Sequence, residues 1–119
     1  MQLVSPRALV VDDDPVRRAS VVDALAGAGF EVHAADDVRS ALALHLLYAP
    51  FQVVVTELHV PGMGGVELVD ALSLRQPEVR VLFVSADEVP PILSARRAFL
   101  SRPFTREEFL AEVGRLMGR

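Results

Sequence analysis

Asp12, Asp13, Glu57, Ser85 and Arg102 each stand where an apolar run gives way to polar chain, and theirs are the side chains that could do chemistry. Asp12 and Asp13 directly continue Ala8-Leu9-Val10-Val11, and adjacent carboxylates suit a hard cation that takes oxygen ligands. The alternative is that they only cap the next helix, a role that Asp14 before Pro15 fits better. Glu57 closes the run Val53-Val54-Val55-Thr56 and is followed by Pro61, Gly62, Gly64 and Gly65, which force a loop. Ser85 follows Val79 to Val84, and Arg102 precedes Pro103-Phe104. Taken singly, a Ser after a strand marks a turn and an Arg is a surface residue; their shared position after apolar runs favours a site. All 12 basic residues are Arg, so chemistry that needs an ammonium side chain is ruled out. His33, His45 and His59 have no metal-ligand spacing, and Gly62, Gly64 and Gly65 lack the spacing and lysine of a phosphate-binding loop.

The elements that must carry these residues alternate along the chain. Ala8 to Val11 reads as a first strand, followed by a helix that begins at Asp14-Pro15, buries Ala19, Val22, Leu25 and Ala26, and ends at Gly27 and Gly29. Phe30 to Ala34 alternates as a more exposed strand. Asp36 or Asp37 caps a second helix with Val38, Ala41, Leu42, Leu46 and Ala49 on one face, and Pro50 closes it. Phe51 to Thr56 is a β-branched run of the kind buried on both faces. Val66, Val69 and Leu72 predict a third helix ended by Pro77, and Val79 to Val84 a fourth strand. Pro90-Pro91-Ile92-Leu93-Ser94-Ala95 leaves room for little more than one helical turn. Ala98-Phe99-Leu100 is a short fifth strand, and Thr105 with Glu108 forms a capping box for a last helix that buries Phe109, Val113 and Leu116. Strands alternating with helices imply a parallel sheet covered on both faces. Ligands of such sheets bind beyond the carboxyl ends of the strands, which is where all the singled-out polar residues lie.

Composition sets the outer bounds. A chain of 119 residues, 51% hydrophobic and 24% charged, suits one globular domain spanning 1–119. No apolar run approaches the roughly 20 residues of a membrane span, and no leader pattern is visible. A cytoplasmic location is the resulting expectation. A net charge of −4 argues against a nucleic-acid or anionic-membrane surface. With no Cys there is no disulfide frame and no thiolate metal site.

The run Val53 to Gly65 resembles the phosphoacceptor segment of the response-regulator receiver family, strand–Asp–Leu–x–Met–Pro–x–Met–x–Gly, with Glu57 in place of the aspartate. The resemblance extends over nearly the whole chain. Val10-Val11-Asp12-Asp13 matches the family's Mg²⁺-binding acidic pair, Ser85-Ala86 its Thr/Ser–Ala step, and Phe99-Leu100-Ser101-Arg102-Pro103-Phe104 its aromatic–Leu–x–Lys–Pro–Phe. It implies a flavodoxin-like, doubly wound five-stranded parallel sheet in the order 2-1-3-4-5, with the fourth helix here shortened or missing. It also implies a switch in which the Ser85 hydroxyl and the Phe99 ring move, although Phe99 reads equally well as plain core.

Two departures decide what such a domain would do. Glutamate displaces the carboxylate by about 1.5 Å, one C–C bond, and misplacement of about 1 Å can cost on the order of a hundredfold in positioned chemistry. Arg102 stands where the family has lysine, and a guanidinium pairs with a carboxylate through a planar fork where an ammonium is a point charge. Both side chains lengthen into the space a phosphoryl group would need, so Glu57 and Arg102 are expected to pair there. The leading expectation is a binding module: an atypical receiver in two-component signalling, not an enzyme, whose protein contacts, a homodimer among them, do not depend on phosphorylation. Mg²⁺ binding at Asp12 and Asp13 is expected to be weak. The alternative is a working Mg²⁺-dependent phosphoacceptor that uses Glu57. A flavodoxin-like nucleotide-binding domain is a third reading, without a phosphate loop to support it.

Overall fold

A computed structural model describes residues 4–86 and 93–119. Strand β1 (Arg7–Val11) leads through helix α1 (Pro15–Gly27) to β2 (Glu31–Ala35), and α2 (Val38–Tyr48) leads to β3 (Val53–Glu57). A small antiparallel hairpin, His59–Val60 against Met63–Gly64, joins β3 to α3 (Gly65–Arg75); then come β4 (Arg80–Ser85), β5 (Arg97–Ser101) and α4 (Arg106–Leu116). The five long strands are all parallel, in the order β2-β1-β3-β4-β5.

Period-two alternation divides the sheet between two cores. Ala8 and Val10, Val53 and Val55, and Leu82 and Val84 face α1 and α4, where they meet Val21, Leu25, Phe109 and Val113. Leu9 and Val11, Val54, and Val81 and Phe83 face α2 and α3, against Val38, Ala41, Leu68 and Leu72. Because both faces are covered, the inner strands read as unbroken apolar runs, and polarity appears only at their ends.

The helix starts follow their capping residues. Asp14 accepts the Arg17 N–H at 2.7 Å with Pro15 in the first turn, and of the two candidate caps for α2 it is Asp37 that accepts the Ser40 N–H, at 2.8 Å. Thr105 and Glu108 close a reciprocal capping box on α4. The hydrogen bond from Ser40 holds the Asp37 carboxyl below the ordinary carboxylate range. Its contribution to stability is therefore present above the unfolded-state value and is lost as pH falls through the lower folded value. Asp37→Asn is expected to keep the cap but flatten that part of the acid-side slope, as read by urea melts at stepped pH.

Two sequence expectations shift by a residue or more. In α1 the buried positions are Val21, Ala24 and Leu25, while Ala19 and Ala26 are exposed. Alanines carry too little apolar area to set the helix rotation, so the larger Val21 and Leu25 set it. In α2, Leu46 is exposed and His45 is buried instead. His45 Nε2 lies 3.0 Å from Gln76 Oε1, and Gln76 also accepts the Phe51 N–H and donates to the Phe51 carbonyl. That polar tie joins α2 to the chain entering β3 and the chain leaving α3, and it draws the histidine inward.

Before β5, Ser94 bridges to Arg97 in a turn. The adjacent prolines at 90 and 91, on which the expectation of a shortened fourth helix rests, lie outside the described residues.

Candidate functional site

The carboxyl ends of β1, β3, β4 and β5 share one rim of the sheet, because the strands are parallel and in near register there. Glu57 pairs with Val84, and Ser85 with Ser101, so Ser85 and Arg102 stand successively beside Glu57. The Arg102 N–H donates to the Ser85 carbonyl at 2.9 Å, which fixes where the Arg102 side chain leaves the sheet. At the point between β1 and β3 where the strand order reverses, Asp12 emerges next to Glu57.

At this rim a network of carboxylates and guanidiniums has formed. Arg102 Nη2 lies 2.6 Å from Glu57 Oε2 and 3.3 Å from Asp12 Oδ2. Their side chains are 17% exposed for Arg102, 12% for Glu57 and 4% for Asp12, so the charges meet largely out of water. The Glu57 contact is close but off the N–H direction: Arg102 directs its hydrogen bond to Asp12, and Glu57 Oε2 is buried without one. Attraction across 2.6 Å in a screened-off site is strong without that alignment.

Arg17 is the member that sequence reasoning missed. Its Nη2 and Nε reach Asp12 Oδ1 and Oδ2 at 2.9 and 3.1 Å, and Nη2 lies 3.6 Å from both Asp13 Oδ1 and Glu57 Oε1. Hydrogen bonding to Asp12 raises the Arg17 pKa above its already high ordinary value. A signal for it was present in the sequence. A cation in the first turn of a helix opposes the macrodipole, and helical side chains lean toward the N-terminus. An arginine placed there, just past an acidic strand end, is aimed back at that end. Arg18 adds a further tie, from its Nη1 to the Asp12 carbonyl at 2.9 Å.

The other expected residues are placed as follows. Asp13 is half exposed at the edge of the network. Ser85 is buried at the end of β4, between Glu57 and Arg102. Phe99 sits one strand out, half-buried against the core under α2 and α3 and opposite Phe83. The histidines lie apart from one another: His45 in the core, His33 stacked on Tyr48 and 2.7 Å from Glu31, and His59 on the hairpin. Gly62 has φ 107°, the left-handed conformation that the hairpin turn requires. A hollow of about 570 Å³ between Pro6, Arg7, Pro50, Gln52 and Met117 is at the opposite end of the strands and holds none of this chemistry.

The site does not fit a divalent cation as it stands. Asp12 Oδ1 accepts from the Asp14 N–H and from Arg17, and Oδ2 accepts from Arg17 and Arg102. Its roughly four acceptor positions are thus taken. Among the described residues, no group of three His, Asp or Glu side chains is disposed to hold a metal ion.

Comparison with known proteins gives this geometry its family. Residues 8–113 match the response regulator receiver domain. The transcriptional regulatory protein PrrA of Mycobacterium tuberculosis is 34% identical over 98% of this chain, and the response regulator receiver protein CpdR of Brucella abortus is 29% identical over 93% of it. The match covers 52% of PrrA and 96% of CpdR, so the chain spans about half the length of the first of these relatives. Among solved structures, the chemotaxis protein CheY4 of Vibrio cholerae superposes with a TM-score of 0.84 at 27% identity, covering 95% of this chain and 99% of that one. A five-stranded parallel sheet in this order, the acid-bearing strand ends and a family match over most of the length agree: the chain belongs to the response regulator receiver domains of two-component signalling.

Proposed function

We propose that residues 1–119 form a single atypical receiver unit, with Glu57 at the phosphoacceptor position and Arg102 at the lysine position, that binds a cytoplasmic protein partner independently of phosphorylation. The observation that carries this reading is the 2.6 Å contact between Arg102 Nη2 and Glu57 Oε2. It lies where an incoming phosphoryl group would need both a free carboxylate and a free cation. Receiver domains interact with proteins such as histidine kinases. In this chain the rim that would report phosphorylation is already neutralised from within. Ser85 and Phe99 retain the positions of the switch residues, but the pair beside them is permanent. The net charge of −4 and the lack, among the described residues, of a helix long and apolar enough to cross a membrane support a protein partner, a second copy included, over nucleic acid or lipid.

The test is incubation with a small-molecule phosphodonor and Mg²⁺, followed by intact-mass analysis. No phosphoryl adduct is expected under conditions that label an ordinary receiver. A substantial adduct abolished by Glu57→Gln would establish the alternative, a Mg²⁺-dependent phosphoacceptor that uses Glu57.

A further inference from the structure

One atom, Arg17 Nη2, stands among three carboxylates: 2.9 Å from Asp12 Oδ1, 3.6 Å from Asp13 Oδ1 and 3.6 Å from Glu57 Oε1. No other basic group described in the structure reaches all three, since Arg102 touches only Asp12 and Glu57. From this we infer that Arg17 occupies the place of a divalent cation, so that the receiver carries its own resident positive charge and needs no metal. The inference rests on the reading of the pocket as permanently charge-paired and assigns the two arginines different parts: Arg102 faces the acceptor carboxylate, and Arg17 fills the cation position.

Three features support that assignment. The Arg17 fork spans both oxygens of Asp12, which is the most buried acid of the network and the one least able to go without a counter-charge. The head is held while its stem runs out along α1, leaving the side chain 41% exposed, so it can be removed without opening the core. Its location in the first turn of α1 is unfavourable for a cation unless the carboxylates compensate, and they do so here at close range. Without Arg17, Asp12, Asp13 and Glu57 would face one another with Arg102 alone ion-paired to their carboxylates among the described residues. A divalent ion with oxygen ligands would be the natural replacement.

The test is a titration of the folded chain with Mg²⁺, and with Mn²⁺ followed by the loss of its free-ion electron paramagnetic resonance signal, in the absence of any phosphodonor. Wild type is expected to bind neither ion measurably at low millimolar concentrations. Arg17→Met, which keeps the apolar stem and removes the charge, is expected to gain at least about tenfold in affinity for one ion per chain. Arg102→Met is expected to gain less, and Arg17→Lys to stay near wild type. The inference is overturned if folded Arg17→Met binds no better than wild type, if Arg102→Met gains as much, or if wild type already binds as tightly as the variant. Should Arg17→Met be unfolded in metal-free buffer, Mg²⁺ is expected to restore its far-ultraviolet circular dichroism where NaCl of equal ionic strength does not, because a ligand of the native state alone stabilises that state; no restoration also overturns it. Phosphodonor labelling of wild type bears separately on the parent reading. An adduct there, together with metal gain in Arg17→Met, would reject the parent reading and leave the cation replacement standing.

Discussion

Arg102→Ala is expected to lower folding stability by about 2–4 kcal/mol, well beyond the 0–1 typical of an exposed pair. The reason is what it leaves behind. Glu57 and Asp12 are both largely buried, and without Arg102 only Arg17 remains to face them. Glu57→Gln is expected to cost less, because Arg102 keeps Asp12 as a hydrogen-bond partner at 3.3 Å. The double variant is expected to cost less than the two single losses added, since the second removal no longer strands a charge. Equilibrium urea unfolding of the four proteins measures this. Strict additivity would mean that the 2.6 Å contact carries no energy and that Arg102 is an ordinary rim residue.

Gly65→Ala is expected to cost about 1–3 kcal/mol, the range for forcing extra volume into a packed site, and to act on the pocket from behind. A Cβ at Gly65 would stand 2.2 Å from the Glu57 carbonyl oxygen and 3.2 Å from the Leu58 Cα, both of them backbone. Neither can swing aside as a side-chain tip could. The Gly65 N–H also donates to the Leu58 carbonyl at 2.8 Å, tying the start of α3 to the end of β3. Relief of the clash must therefore shift backbone, and the β3 end that carries Glu57 is one of the two segments in contact. Combining Gly65→Ala with Arg102→Ala in the same unfolding assay is expected to give a sub-additive loss, because the displaced Glu57 has less contact left to lose. Full additivity would show that the strand end absorbs the methyl without moving the carboxylate.

Much of this architecture could be read from the sequence because the sheet is covered on both faces. Burial on two sides leaves apolar runs such as Val53-Val54-Val55, and each polar stop then marks a strand end on the same rim. The Glu57 and Arg102 positions followed from those stops, and the strand order from the family resemblance. The helix faces were less legible. Ala19 and Ala26 have the right spacing but too little area to decide a rotation, and His45 turns inward only because Gln76 and Phe51, distant in sequence, supply its partners. Arg17 went unseen for a related reason. Helical periodicity assigns a charged residue to solvent, whereas the length of an arginine and the backward lean of its Cα–Cβ bond carry the head to the neighbouring strand end. Charges at helix starts are thus better read against the preceding strand than against the helix wheel.

The most direct measurement is the two-dimensional amide NMR spectrum of the domain before and after addition of a small-molecule phosphodonor with Mg²⁺. With Glu57 and Arg102 already paired, the two spectra are expected to superimpose, including the resonances of Ala86, Phe99 and Leu100 beside the rim. A second set of resonances at the ends of β3, β4 and β5, absent in Glu57→Gln, would contradict a pocket closed from within and would show instead a receiver that still switches on phosphorylation.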